Sequence, residues 1–158
     1  MNHPPPMLRR GSIYDLDEAM TVMNEAFEAE FGEAWTKAQC AGIMGLPGVW
    51  LTLARLNDSP AGFSLARIVA DEVELLLLGV RPIWRRRGVA AALLRAIDAD
   101  AASRGGAKIH LEVRADNPAH ALYEAAGFSV AGRRKGYYVG EGGQLFDALT
   151  LTKAAVPA

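Results

Sequence analysis

The chain has 158 residues, a length that suits one domain with a full hydrophobic core. Its formal net charge is -1, so it lacks the basic excess that is typical of nucleic-acid-binding proteins. Its apolar runs are shorter than a membrane span, and residues 1–6 lack the pattern of a secretory signal. We therefore expect a cytoplasmic protein that does not bind nucleic acid or membranes. It should have a flexible tip at residues 1–6 and a single domain over residues 7–158.

The first part of the chain predicts two short helices within a set of strands. Asp15 with Glu18, and Thr36 with Gln39, have the spacing of capping boxes, which mark helix starts. Cys40 lies in the second helix, and we expect it to be a small buried residue. The strands predicted here span residues 7–12, 49–56 and 61–70.

The most informative stretch begins with the apolar run 73–80, which is typical of a central strand. Three arginines, Arg85–Arg87, follow it, and Gly88 then opens a helix that we predict to end at Arg104. The first turn of a helix has unpaired N–H groups and a dipole that favours negative charge. A strand, a glycine-bearing turn and a helix start therefore predict a site for a phosphate-bearing ligand. A basic turn before an amphipathic helix is the alternative.

The spacing of this turn excludes two familiar phosphate-binding motifs. A P-loop needs a lysine and a hydroxyl residue after its second glycine, but Gly88 is followed by Val89 and Ala90. The three spaced glycines of a dinucleotide-binding turn are absent as well. What remains is an arginine, two residues, a glycine, one residue and an alanine, from Arg85 to Ala90.

The second half of the chain predicts a strand, a helix and a strand pair. Residues 107–114 alternate, with Ile109 and Leu111 on one face and Glu112 on the other. Asn117 followed by Pro118 indicates a helix start. The final strands are predicted at residues 128–132 and 144–152. The order of all these elements predicts a mixed sheet with helices on both faces.

Two carboxylates and a tyrosine are the candidate chemical groups. Glu112 lies between apolar neighbours in a strand, so it is either a general base or a solvated glutamate of the outer face. Glu74, near the start of the apolar strand, is a second candidate base or a strand-end carboxylate. Tyr123 is a candidate acid or a core aromatic. His110 and His120 are isolated from other ligand types, so we expect no metal site.

Read together, these segments resemble a known family. The stretch from Ile109 to Phe128 runs Leu-Glu-Val-Arg, then an Asn, then Ala-Leu-Tyr-Glu and Gly-Phe. With the Arg85–Ala90 turn, it is similar to the RimI family of ribosomal-protein N-terminal alanine acetyltransferases, which belongs to the GNAT acetyltransferase superfamily. The resemblance is clear over residues 71–152. It implies an α/β fold with a central mixed, mostly antiparallel twisted sheet and helices on both faces.

The resemblance also implies the reaction and the roles of residues. The reaction would be acetyl transfer from acetyl-CoA to an amine, with Glu112 as base and Tyr123 as acid. The acceptor would be a protein or peptide N-terminus, with a small amine or amino acid as one alternative and an acyl-CoA-binding sensor without turnover as another. The residues that would bind the cofactor are Leu78, Gly79, Val80, Arg86, Arg87, Gly88, Val89, Ala90, Ala91 and Asn117.

The chain departs from that family's pattern in ways that leave questions open. The segment between Arg114 and Tyr123 is one residue shorter than in the RimI proteins, so either Asp116 or Asn117 faces the cofactor. Glu74 is left open as a residue that shares or replaces the base role of Glu112. The chain is expected to be a monomer or a homodimer.

Overall fold

The computed structural model describes residues 4–155, so residues 1–3 of the expected N-terminal tip lie outside the described part. One sheet of seven strands, in the order β1-β2-β3-β4-β5-β7-β6, forms the centre of the fold. The strands are β1 (Met7–Gly11), β2 (Val49–Leu56), β3 (Ser59–Val69), β4 (Glu72–Val80), β5 (Lys108–Arg114), β6 (Ser129–Val139) and β7 (Leu145–Ala154). The α-helices are α1 (Leu16–Ala26), α2 (Lys37–Met44), α3 (Val89–Ser103) and α4 (His120–Ala125).

The pairing of the strands confirms the predicted mixed, mostly antiparallel sheet. Strands β4 and β5 pair in parallel, and the other neighbours pair antiparallel. None of the helices in residues 4–155 is long and apolar enough to cross a membrane. The expected cytoplasmic location stays a prediction.

Helices cover the two faces of the sheet unequally. Helices α1 and α2 pack on one face, where their apolar cluster takes strand residues from β2, β3 and β4. Helices α3 and α4 pack on the other face, where residues such as Ile97 and Tyr123 meet Ile109 and Leu111 of β5. Strand β6 has no buried residue among those described. The β5-β7-β6 part of the sheet is therefore the more open part of the α1 face.

Cys40 of α2 is buried in the α1 face, as the sequence predicts. Its exposed fraction is 2%, and burial raises the pKa of its thiol. The capping box of Thr36 and Gln39 at the start of α2 is also present.

Two details of the predicted helix starts are wrong. Asp15 is the N-cap of α1, as predicted, but the capping box joins Ser12 and Asp15 instead of Asp15 and Glu18, and it starts a 3₁₀ turn that precedes α1. Helix α4 begins at His120 rather than at Pro118 with Asn117 as its cap, because the Asn117 side chain first forms a turn by accepting a hydrogen bond from the N–H of Ala119.

The strands of the final hairpin are longer than predicted. Strand β6 extends to Val139, although the predicted strand stopped at residue 132. The edge position of β6 explains the difference: a strand exposed on both faces does not show apolar alternation. Arg133, Arg134 and Lys135 thus lie in a strand.

Strands β4 and β5 separate soon after they pair, and this separation creates the main cleft. The described pairing joins Glu72–Glu74 to Lys108–His110 and goes no further. Just beyond it, Leu65 and Ala66 of β3 pair with Leu77 and Leu75, so Leu76 is an extra residue in β4. A β-bulge of this kind bends and twists its strand. We attribute the divergence of β4 from β5 to this bulge.

Candidate active site

A cleft of about 650 Å³ lies between the diverging strands. We call its two sides the β4 wall and the β5 wall. The β4 wall consists of Leu75–Val80, Trp84–Arg86 and Gly88–Ala91. The β5 wall consists of Leu111–Arg114, Asn117–Ala119, Leu122 and Tyr123, with Phe31, Glu33 and Tyr138 beside it. The cleft brings together all of the predicted site residues except Arg87 and the two alternative candidates, Glu74 and Asp116.

The turn at the end of the β4 wall is open to a ligand. Gly88 has a φ of +80°, and a Cβ atom built on it would have no neighbour within 4 Å. The carbonyl of Gly88 accepts the N–H of Ala92 at 3.0 Å, which closes the first turn of α3. The N–H groups of residues 89–91 precede that bond and have no acceptor within the helix. The turn therefore offers amide donors to an anion.

The three arginines of this turn occupy different places. Arg85 and Arg86 line the cleft. Arg87 is not among the lining residues, and its guanidinium carbon lies 5.8 Å from the centre of the Trp84 ring. Of the implied pair, Arg86 lines the cleft and Arg87 does not, and the binding role of both stays a prediction. Arg85 is the first residue of the motif that ends at Ala90, so the sequence already indicated that it belongs to this turn.

Glu112 contributes its carboxylate to the β5 wall. Its Oε2 accepts a hydrogen bond from the Thr150 hydroxyl at 2.7 Å, and its Oε1 lies 3.2 Å from Nε of Arg134. The carbonyl of Glu112 accepts the Tyr138 hydroxyl at 3.1 Å. The side chain is only 14% exposed, which excludes the solvated outer-face interpretation. Glu112 is a shielded, oriented carboxylate that faces the cleft.

Glu74 lies away from this carboxylate. Its Oε2 is 3.1 Å from Nε2 of His110, at the closed end where β4 and β5 still pair. Its side chain is 45% exposed, and it does not line the cleft. The structure therefore favours the strand-end interpretation of Glu74.

Tyr123 belongs to both the core and the cleft. It is buried against Phe128, with the two rings edge to face at 5.9 Å, and it also lines the β5 wall. Burial, followed by the negative charge of Glu33, raises the pKa of its hydroxyl. The hydroxyl is therefore protonated throughout the physiological range.

Of the two candidates for the position after β5, Asn117 lines the cleft. Its Nδ2 donates to Oε2 of Glu33 at 3.2 Å, while its Oδ1 accepts the N–H of Ala119 at 2.8 Å. Asp116 pairs with Arg114, and its side chain is 72% exposed. The structure therefore directs Asp116 to solvent and Asn117 to the cleft.

The sequence analysis missed a buried ion pair at the cleft. Glu33 and Arg114 are 10% and 8% exposed, and Oε1 of Glu33 lies 3.3 Å from Nε of Arg114. The Arg114 guanidinium also stacks over the Phe31 ring at 3.5 Å. Glu33 and Arg114 are 81 positions apart in the chain, so no local spacing could have paired them. Tyr138 also lines the cleft, and burial, followed by the negative charge of Glu33, raises the pKa of its hydroxyl.

A close approach of two loops completes this side of the cleft. Gly32 has a φ of +69°, and a Cβ atom built on it would lie 2.0 Å from the carbonyl oxygen of Val139. Only glycine therefore lets the segment between α1 and α2 rest against the end of β6. Phe31 and Phe146 pack edge to face at 5.2 Å in the same contact. The contact places Glu33 beside the β5 wall.

Comparison with known proteins identifies the family of this fold and cleft. The Acetyltransferase (GNAT) family matches residues 16–128, and the chain belongs to this family. The ribosomal protein bS18-alanine N-acetyltransferase of Haemophilus ducreyi is 33% identical over 119 residues, or 73% of this chain and 81% of that protein.

Two further comparisons involve Escherichia coli. The curated ribosomal protein bS18-alanine N-acetyltransferase of strain K12 is 41% identical over 83 residues, or 52% of this chain. The match covers 56% of that relative, so the chain spans about half the length of this curated relative. The crystal structure of the Escherichia coli ribosomal-protein-S18-alanine N-acetyltransferase has a TM-score of 0.83 and 29% identity, with 97% of this chain and 96% of that chain covered.

Proposed function

We propose that the protein is an acetyl-CoA-dependent N-acetyltransferase that acts on the α-amino group of a protein or peptide N-terminus. One observation carries the proposal: the divergence of β4 from β5 places an open helix N-terminus and a shielded carboxylate, Glu112, on opposite walls of one cleft. The named activity of the relatives supports the same choice of acceptor.

The β4 wall fits the donor. Acetyl-CoA supplies an activated acetyl group on a thioester and carries a diphosphate. The free amides at the start of α3 and the guanidinium groups of Arg85 and Arg86 suit that diphosphate. Leu78, Gly79 and Val80 form the apolar wall along which the pantetheine arm would lie, and Asn117 faces them from the β5 wall.

The β5 wall fits the chemistry on the acceptor. An α-amino group has a pKa near 8, so roughly 10% is free base at neutral pH, whereas a lysine near 10.4 has less than about one part in a thousand. Glu112 would accept the proton that the amine loses, directly or through one water molecule. An α-amino group therefore needs less help from this base than a lysine side chain does, because more of it is already deprotonated. A main-chain N–H of β4 beside Gly79 would stabilise the oxyanion.

Tyr123 would act on the departing sulfur. A free thiol has a pKa near 8.5, and the pKa of Tyr123 is raised above the ordinary tyrosine value. Complete proton transfer from tyrosine to a thiolate is therefore uphill. We assign Tyr123 the role of a hydrogen-bond donor that stabilises the thiolate while keeping most of its proton.

Turnover assays with acetyl-CoA test the proposal. The acceptors are peptides that differ in their first residues, with small amines and free amino acids assayed in parallel. We expect acetylation of at least one peptide at its α-amino group, located by mass spectrometry. Transfer to small amines with none to peptides would contradict the assigned acceptor. Binding of coenzyme A without transfer to any amine would support the sensor alternative instead.

A further inference from the structure

The candidate base is held by an arginine from the exposed edge of the sheet. We infer that this residue, Arg134, selects acceptors that carry a carboxylate close to the reactive amine, such as peptides with an acidic residue at the second or third position. The inference rests on the proposed function, which it makes more specific.

The register places Arg134 on the same face as Glu112. Glu112 pairs with Thr150 of β7, and Thr150 pairs with Gly132 of β6. Arg134 is two residues beyond Gly132, so its side chain points to the same face, and Arg133 points to the opposite one. A Cβ atom built on Gly132 would have no neighbour within 4 Å. Glu112, Thr150 and Gly132 lie side by side across the three strands, and the space above Gly132 at the edge of the sheet is open.

The ion pair between Arg134 and Glu112 has one fixed partner and one exposed partner. Glu112 is 14% exposed and is also held by Thr150 at 2.7 Å, whereas the Arg134 side chain is 59% exposed. Ion pairs with a solvated partner are weak, since screening and side-chain entropy offset most of the attraction. Arg134 can therefore leave Glu112 at little cost, while Glu112 stays in the cleft.

When an acceptor binds, two positive groups meet the single carboxylate of Glu112, so a further anion would balance the charge. An amine arrives mainly as an ammonium ion, so it and Arg134 would share one carboxylate. The other carboxylates near this group are already engaged: Glu33 with Arg114 and Asn117, and Glu74 with His110. A carboxylate on the acceptor would pair with Arg134 and release Oε1 of Glu112 for the ammonium.

The distances allow this exchange. One extended residue spans about 3.3–3.6 Å, so the second and third residues of a peptide lie within roughly 7–11 Å of the amine. The guanidinium group of Arg134, whose Nε lies 3.2 Å from Oε1 of Glu112, can reach that zone without movement of β6. A planar guanidinium also suits bidentate binding of a carboxylate.

The experiment measures kcat/KM for matched peptides that differ by Asp or Asn at the second or third position. For the unmodified protein, we expect about tenfold higher kcat/KM with Asp, which corresponds to about 1.4 kcal/mol, and a smaller ratio at high salt. Arg134→Gln should bring the ratio close to one, and Arg134→Lys should retain part of it. Arg133→Gln is the matched control, because Arg133 is similarly exposed but faces away and pairs with Asp147; it should keep the full ratio.

Several results would overturn the inference. Equal kcat/KM values for the Asp and Asn peptides would do so, as would a ratio that survives Arg134→Gln. A preference for free alanine over alaninamide, without any preference among the peptides, would assign the carboxylate to a small acceptor and contradict the peptide source. Acetylation of peptides without acidic preference leaves the proposed function intact, whereas no acetylation of any amine overturns both.

Discussion

The two walls of the cleft are built in different ways. The β4 wall is one continuous part of the chain, residues 75–91, and it offers main-chain amides, apolar side chains and two arginines. The β5 wall gathers groups from distant segments, such as Glu33 with Arg114 and Glu112 with Thr150, which are 81 and 38 positions apart. Donor binding therefore depends mainly on the main chain, whereas acceptor chemistry depends on a few side chains.

Because of this difference, we expect variants of the two walls to change different kinetic parameters. Changes in the β5 wall should lower kcat or raise the KM of the acceptor while acetyl-CoA still binds. Changes in the β4 wall should weaken acetyl-CoA binding first. The variants below are ordered from the largest expected effect to the smallest.

Glu112→Gln should have the largest effect. It removes the proton acceptor but keeps the shape and the hydrogen bond from Thr150, so we expect kcat to fall by about 100-fold or more. Acetyl-CoA affinity, measured by calorimetry, should change little. Glu74→Gln is the matched control, because Glu74 lies outside the cleft, and it should retain activity. Normal turnover by Glu112→Gln would remove Glu112 from the mechanism.

Tyr123→Phe should lower kcat by about tenfold. The variant keeps the packing against Phe128 but loses the hydroxyl that stabilises the thiolate. The thermal midpoint and the KM for acetyl-CoA should stay close to those of the unmodified protein. Tyr14→Phe, at a residue that is 93% exposed, provides the control. An unchanged kcat would leave Tyr123 with a packing role.

Arg86→Ala should weaken acetyl-CoA binding by about tenfold, because a hydrogen bond to a charged group contributes about 1.5–3 kcal/mol. The dependence of the affinity on salt should decrease as well. Arg87→Ala should have a smaller effect, since Arg87 does not line the cleft. Arg95→Ala, at an exposed position of α3, serves as control. Equal losses from Arg86→Ala and Arg87→Ala would show that the turn rearranges when it binds the donor.

Glu33→Gln should have a smaller effect, confined to the acceptor side. The amide keeps the contact with Arg114 but loses the charge, so we expect the KM of the acceptor to rise by about threefold and the free energy of unfolding to fall by about 1–2 kcal/mol. Asp116→Asn removes the exposed partner of Arg114 and should change stability by less than about 0.5 kcal/mol. A weaker affinity for acetyl-CoA in Glu33→Gln would contradict the separation of the two walls.

The β4 wall could be predicted from the sequence because its signals are local. The apolar run that ends at Val80, the arginines and Gly88 follow one another, and each has a direct structural consequence. Which of the three arginines line the cleft could not be predicted, because this depends on where each side chain points within the turn. Arg86 has a φ of +61°, a left-handed conformation that spacing does not reveal in a residue other than glycine.

The β5 wall could be predicted only in part. Glu112 was found because it is a carboxylate between apolar neighbours in a strand of a sheet that should be covered on both faces. Its partners Thr150 and Arg134 come from strands that join β5 only in the folded sheet. The edge strand that carries Arg134 has no apolar alternation, so the sequence does not indicate that this side chain shares a face with Glu112. Glu33 lies in a loop whose position depends on the contact of Gly32 with Val139.

A structure of the protein bound to coenzyme A would test the central claim most directly. We expect diphosphate oxygens at about 2.7–3.2 Å from the N–H groups at the start of α3, and the pantetheine arm between β4 and β5 with its sulfur on the side of Glu112. Coenzyme A bound elsewhere, or a Glu112 carboxylate turned out of the cleft in the complex, would contradict the account.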